Sequence, residues 1–167
     1  FAWHAYCSGT DGGELVPSGE FEEARCNLMM KTAHARAAQR GLAWGAPTMM
    51  TEFGASLNPL DVNLVTARAD DYVGSWLHWA YGYFRTEQNE SALSRVYPEA
   101  TAGVPGALHF DRMTGRAPYS YTASGGGGTT SLSIPPRHYP DGYDVVLSGG
   151  TVVSDPDVVA DVESLAR

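Results

Sequence analysis

Glu52 closes the run Pro47-Thr48-Met49-Met50-Thr51-Glu52-Phe53-Gly54-Ala55. An apolar, strand-like stretch ends there in a carboxylate and turns at once on a Phe-Gly-Ala step. In a parallel β/α protein, catalytic side chains sit at the carboxyl ends of strands. Two further segments carry matching chemistry. His4 and Tyr6 stand two residues apart, so they share a face of an extended strand. Trp76 and Trp79 close a third aromatic segment. Sugars stack on aromatic faces, and paired carboxylates cleave glycosidic bonds. The set therefore reads as half of a retaining glycosidase site. Glu52 would attack the anomeric carbon and Tyr6 would orient it. His4 would bind a sugar hydroxyl or a partner carboxylate, and Trp79 would form the sugar platform. Trp76 falls on the opposite face of an ideal strand and is expected in the core.

The elements that must position these groups follow from pattern. Phe1–Cys7 alternates aromatic with small or polar residues and reads as a strand. Residues 8–18 are loop, and Ser18 resembles a helix N-cap with Glu20, Glu22 and Glu23 in the first turn. The helix is expected to run through Leu28, Met29, Ala33, Ala37 and Arg40 to a stop at Gly41. Residues 46–53 form the next strand. Asn58-Pro59 is a cap with an N1 proline, opening a short helix with Leu60, Leu64, Val65, Ala67 and Ala69 on its apolar face. Tyr72–Tyr81 reads as a third strand. Strands separated by helices imply parallel pairing and right-handed βα units. His34 is expected in solvent on its helix, Asp70-Asp71 at a solvated helix end, and both Met29-Met30 and Met49-Met50 in the core.

After about Pro98 the pattern becomes antiparallel. Ala107–Arg112 and Ala117–Thr122 read as a hairpin turning at Met113-Thr114-Gly115. Gly125–Gly128 is a loop; it lacks the Lys-Ser/Thr of a phosphate loop. Thr130–Ile134, Tyr143–Leu147 and Ser148–Val153 suggest strands, and the acidic tail Asp155–Arg167 a short helix. His138 is expected to be structural. The division is therefore residues 1–97, α/β, followed by 98–167, part of an antiparallel β-sandwich.

Composition narrows the function. The 167 residues are about one domain's worth. Net charge is −8 and the sequence pI is about 4.9, which argues against nucleic acid as a partner. No run approaches the roughly 18 apolar residues of a membrane-spanning helix. The two cysteines, Cys7 and Cys26, form a candidate disulfide compatible with a secreted or extracellular protein. Asn89-Glu90-Ser91 is a glycosylation sequon. No metal-ligand spacing is present, and no cofactor is implied. The chain opens on what reads as a strand, so a longer parent is expected.

His4-x-Tyr6, Thr51-Glu52-Phe53-Gly54 and Ser75-Trp76-x-x-Trp79-x-Tyr81 together resemble the last three strands of glycoside hydrolase family 5. Phe1–Cys7, Trp76–Tyr81, Tyr97–Gly103 and Pro135–Tyr143 in order resemble the carboxyl-terminal portion of its endoglycoceramidase subgroup, over residues 1–154. The resemblance implies about three βα units of a (β/α)8 barrel followed by a β-sandwich. It also implies retaining cleavage between the sugar and ceramide of glycosphingolipids, with transient contact with membrane lipid. Retention needs two carboxylates about 5–5.5 Å apart. The family's acid/base belongs to an Asn-Glu-Pro run, and this sequence has none, so the chain is expected to be inactive alone. Two alternatives stand beside this reading. One is a family 5 enzyme for glucans, galactans or glucosides. The other is a non-catalytic carbohydrate- or lipid-binding sandwich.

Overall fold

The computed structural model describes residues 1–7, 20–55, 58–80, 82, 86–154 and 160–164. They fall into two units, Phe1–Leu93 and Ser94–Arg167. The division precedes the expected 97/98 boundary because Tyr97–Ala100 already pairs as a strand of the second unit.

In the first unit β1 (Ala2–His4), β2 (Met49–Glu52) and β3 (Ser75–Trp76) form a parallel sheet in that order. Helix α1 (Glu20–Trp44) links β1 to β2, and α2 (Pro59–Asp70) links β2 to β3. Helix α3 (Glu87–Leu93) completes the unit. The expected loop at 8–18, its Ser18 cap and the strand end at Tyr81 lie outside the described residues.

Helix α1 buries Cys26, Met30, His34 and Ala37 at helical spacing, one stripe facing the sheet. It passes the expected stop at Gly41. A β-carbon on Gly41 would lie 2.6 Å from Thr48 Cγ2 and 2.8 Å from the Ala46 carbonyl, so this glycine permits close packing. The stop comes at Gly45, whose φ of +60° reverses the chain. Helix α2 is capped as expected, Asn58 Oδ1 accepting from Leu60 N at 3.0 Å with Pro59 in the first turn. Its buried face differs from the expected one. Asp61, Val62, Val65, Thr66, Ala69 and Asp70 are buried, whereas Leu60 is exposed. Only Asp71 fits the solvated helix end, pairing with Arg68 at 2.8 Å.

The third strand is much shorter than Tyr72–Tyr81. Tyr72, Val73 and Gly74 instead close the turn after α2, with amides returning to Ala69 and Asp70 carbonyls. The core joins Ala5, Cys7, Cys26, Met30, Met50, Phe53, Val62, Val65 and Ala92. Met29 and Met49 stay exposed, since adjacent residues on a helix or strand face different ways. Cys7 and Cys26 are bonded, with Cα atoms 5.2 Å apart across a separation of 19 residues. A loop of that size is worth roughly 3 kcal/mol in the chain-entropy account. Asn89 is fully buried in α3, which makes the sequon sterically inaccessible in the folded unit.

The second unit is antiparallel. Strands β4 (Tyr97–Ala100), β7 (Gly128–Ser133), β9 (Ala160–Ser164) and β8 (Gly150–Val152) make one sheet in that order. Strands β5 (Gly103–Leu108) and β6 (Tyr119–Ala123) make a separate hairpin. Pro98 is tolerated because β4 is an edge strand. The tail expected as a helix contributes β9 instead, where Val162 pairs with both Thr130 and Val152. Tertiary pairing overrides the weak helical bias of an acidic segment. Conversely, Tyr143–Leu147 is not a strand: β-branched content marks compatibility with a sheet, and among the described residues no partner strand takes it up. Arg95 lies over the Phe110 ring at 5.2 Å, and His138 Nε2 meets the Ser94 carbonyl at 2.7 Å. Both are structural contacts.

His34 departs most from expectation. It is buried edge-on to Trp3 at 4.8 Å and parallel to Tyr72 at 6.2 Å. Burial pushes its imidazole down from 6.5 to about 4, with Asp71 opposing and Arg68 reinforcing the shift. The unfolded ring takes a proton at a pH where the folded ring refuses it. Its stabilising contribution is therefore complete above 6.5 and is lost as pH falls toward 4. Urea midpoints measured across that range should fall with pH, and His34→Leu should flatten the slope. Equal slopes in the two proteins would assign the acid sensitivity to other groups.

Candidate active site

Parallel pairing brings the ends of β1 and β2 to one side. His4 is the register partner of Glu52, and Ala5 N donates to the Glu52 carbonyl at 3.1 Å. A register irregularity between Trp3 and His4 adjusts the end of β1. Thr51 Oγ1 donates to the Trp3 carbonyl at 3.4 Å, a further tie between the strands. Below them Met50 and Phe53 are buried, so the backbone on both sides of Glu52 is anchored in the core.

Two side chains converge on the carboxylate. Tyr6 donates its hydroxyl to Glu52 Oε2 at 2.9 Å. His4 Nδ1 lies 3.3 Å from the same oxygen, an ion pair whenever the ring is protonated. Glu52 Oε1 has no partner among the described residues. The Glu52 side chain is 29% exposed and that of His4 52%, so the carboxylate is held but reachable from solvent. The Tyr6 phenol is pushed up to about 12, first by burial and then by its hydrogen bond and proximity to Glu52. It therefore stays a donor through the ordinary pH range.

Trp79 reaches the same strand end through the backbone. Trp79 N donates to the Phe53 carbonyl at 2.7 Å, and Ala55 N donates to the Trp79 carbonyl at 2.6 Å. The residue is 51% exposed, as a platform requires. Trp76 turns inward and meets Phe53 edge-on at 5.4 Å. His4, Tyr6, Glu52 and the Trp79 backbone thus lie at the carboxyl end of the strands.

Sequence reasoning missed His78. Its ring packs edge-on to Phe53 at 5.3 Å and covers Gly54, where a β-carbon would lie 2.6 Å from His78 Cδ2. Gly54 also has a φ of +89°, which disfavours any other residue. The glycine after Glu52-Phe53 was the available signal, since a glycine at a strand end marks close approach. Cys7, Cys26 and Asp61 place ligand atoms within 4.8 Å of one another, but sulfurs bonded to each other leave no thiolate for a metal. Among the described residues no helix is long and apolar enough to cross a membrane.

Comparison with known proteins finds three likenesses. Residues 95–163 match the model of the glycoside hydrolase family 5 C-terminal domain. Over 116 residues the chain is 38% identical to endoglycoceramidase I of Rhodococcus hoagii (strain 103S). In sequence the chain is thus endoglycoceramidase-like. That match covers 66% of this chain and 23% of the Rhodococcus protein, so the chain spans about a quarter of that relative's length. The fold is similar to that of Cryptococcus neoformans sterylglucosidase 1, with a TM-score of 0.58 at 13% identity, over 87% of this chain and 31% of that one.

The shared oxygen predicts coupled titration. Glu52→Gln removes the negative charge beside Tyr6 and should bring its phenol down from about 12 toward 10.0, though burial keeps it above that value. Spectrophotometric tyrosinate titration, with Tyr6→Phe as the assignment control, reads the shift. An unmoved phenol would mean that burial alone sets it.

Proposed function

We propose that the chain is the nucleophile-bearing, carboxyl-terminal portion of a retaining glycosidase that cleaves the bond between oligosaccharide and ceramide in glycosphingolipids. The observation that carries this reading is the convergence of Tyr6 and His4 on Oε2 of a part-exposed Glu52, with no partner on Oε1 among the described residues. Retaining chemistry asks one carboxylate to attack the anomeric carbon and a second carboxyl group to protonate the leaving oxygen. Glu52 Oε1 is the attacking atom. Tyr6 and His4 fix the rotation of the carboxylate through Oε2 and withdraw charge from it, so the free oxygen points where the sugar must lie. Trp79 offers the apolar face on which the sugar ring stacks. After attack the glycosyl ester forms on Oε1, and Tyr6 still donates to Oε2.

The glycolipid substrate is supported by the likeness to endoglycoceramidase I. Transient contact with membrane lipid follows from that substrate. The three parallel strands with their crossover helices are compatible with part of a (β/α)8 barrel, and the antiparallel second unit with part of a β-sandwich. The buried disulfide favours a secreted or extracellular setting. The resemblance places the acid/base in an Asn-Glu-Pro run that this sequence lacks, so turnover belongs to a longer protein.

The test is to express the full reading frame that contains the Phe1 codon and to assay gangliosides beside β-glucan and galactan. Ganglioside should yield intact oligosaccharide and ceramide. Glu52→Gln should lower kcat by about three orders of magnitude or more. The 167-residue chain alone should show no turnover. Full activity in Glu52→Gln would remove the nucleophile assignment. Turnover of glucan or galactan with no action on ganglioside would move the substrate to the other family 5 reading.

A further inference from the structure

Tyr6 works from a position that the sheet does not hold. Strand β1 ends at His4, and the last ladder bond runs from Ala5 N to the Glu52 carbonyl at 3.1 Å. Among the described residues no backbone–backbone hydrogen bond reaches Tyr6. Its other neighbour, Cys7, is buried and covalently joined to Cys26 on α1. Cys26 lies one helical turn before Met30, and both sit in the core that also contains Met50 and Phe53, on either side of Glu52 along the chain. Tyr6 is thus suspended between a hydrogen-bonded Ala5 and a cross-linked Cys7. Both anchors refer back to the layer that carries Glu52.

We propose that the Cys7–Cys26 bridge is a positioning element of the active site, holding the Tyr6 hydroxyl on Glu52 Oε2 so that the orientation of the nucleophile depends on the oxidised state of this pair. The catalytic meaning rests on the reading of Glu52 as nucleophile; the positioning itself rests on the contacts alone. Reduction by a dithiol transfers two electrons and two protons. The S–S bond breaks, Cys7 and Cys26 become thiols, and the dithiol closes to its own disulfide. The backbone after Tyr6 then loses its covalent tie to α1. The hydroxyl is left to be held by a single hydrogen bond to a partly exposed carboxylate.

The experiment follows Tyr6 in this chain by NMR with carbon-13-labelled tyrosine and histidine rings, the two signals assigned by their loss in Tyr6→Phe and His34→Leu. The pH titration is run on the oxidised chain, on the chain in dithiothreitol, and on the Cys7→Ala/Cys26→Ala double variant, which needs no reductant. With the bridge intact the Tyr6 phenol should ionise near 12. Without it, in both the reduced and the double-alanine forms, it should ionise closer to 10.0, while the His34 ring signals keep their buried positions. An unchanged Tyr6 titration would overturn the proposal. So would joint loss of the Tyr6 shift and the buried His34 signals, because the bridge would then be a fold-wide clasp. In the full-length enzyme, a bridge-dependent Tyr6 titration beside undiminished hydrolysis in Glu52→Gln would overturn the catalytic role and leave only the structural one.

Discussion

The structure of the first unit depends on one register. Pairing His4 with Glu52 in parallel sets both strand ends on the same side of the sheet. A shift of one residue would turn every side chain of β1 to the other face. Tyr6 and His4 would then leave the carboxylate, and Trp3 would leave His34. The register is held by few bonds because β1 is only 3 residues long. The amides of Met49 and Ala5 bracket it, donating to the Phe1 and Glu52 carbonyls at 2.9 and 3.1 Å. Burial does the rest: Ala5 and Cys7 reach the core only in this alignment.

Given that register, the site is a polar rim on an apolar layer. Met50 and Phe53 are almost wholly buried on either side of Glu52 in the chain, so the carboxylate has little freedom except rotation about its own side chain. A hydroxyl donor and an imidazole on one oxygen restrict that freedom, while the second oxygen has no partner among the described residues. The tight Phe53-Gly54 step serves the same end. Gly54 admits the His78 ring where no other residue would, and the backbone of Trp79 can then bond to Phe53 and Ala55. Held side chains on rigid strand ends are what a positioned nucleophile requires.

Much of this was legible in the sequence. The parallel order of strands came from their alternation with helices, and the Asn58-Pro59 cap from local chemistry. The grouping of His4, Tyr6, Glu52 and Trp79 followed from the rule that strand ends of successive βα units face one way. What was not legible depends on tertiary packing. His34 looks solvated because histidine on a helix is usually so; its burial needs Trp3 and Tyr72 from other segments. Gly41 and Gly45 are indistinguishable as stops until the Thr48 methyl is seen against Gly41. The tail from Asp155 carries helical and strand signals together, and only the neighbouring strands β7 and β8 decide between them. Tyr143–Leu147 shows the reverse, strong strand composition with no strand to pair with.

The two units also carry different parts of the argument. The family match lies in the second unit, residues 95–163, where the notable polar side chains serve structure. Arg95 spans Phe110, His138 bonds a backbone carbonyl, and Tyr139 donates to the Gly115 carbonyl at 2.7 Å. No carboxylate there is gathered with a tyrosine and a histidine among the described residues. The gathered carboxylate, Glu52, lies in the first unit. The match to the C-terminal domain and the site geometry lie in separate stretches of sequence, whereas the likeness to endoglycoceramidase I, over 116 residues, extends into the first unit. A sandwich alone would favour a binding module, and three parallel strands alone would fit many β/α proteins. A match to the family 5 C-terminal domain following a strand end that holds Glu52 by one oxygen is what joins them into a glycosidase reading.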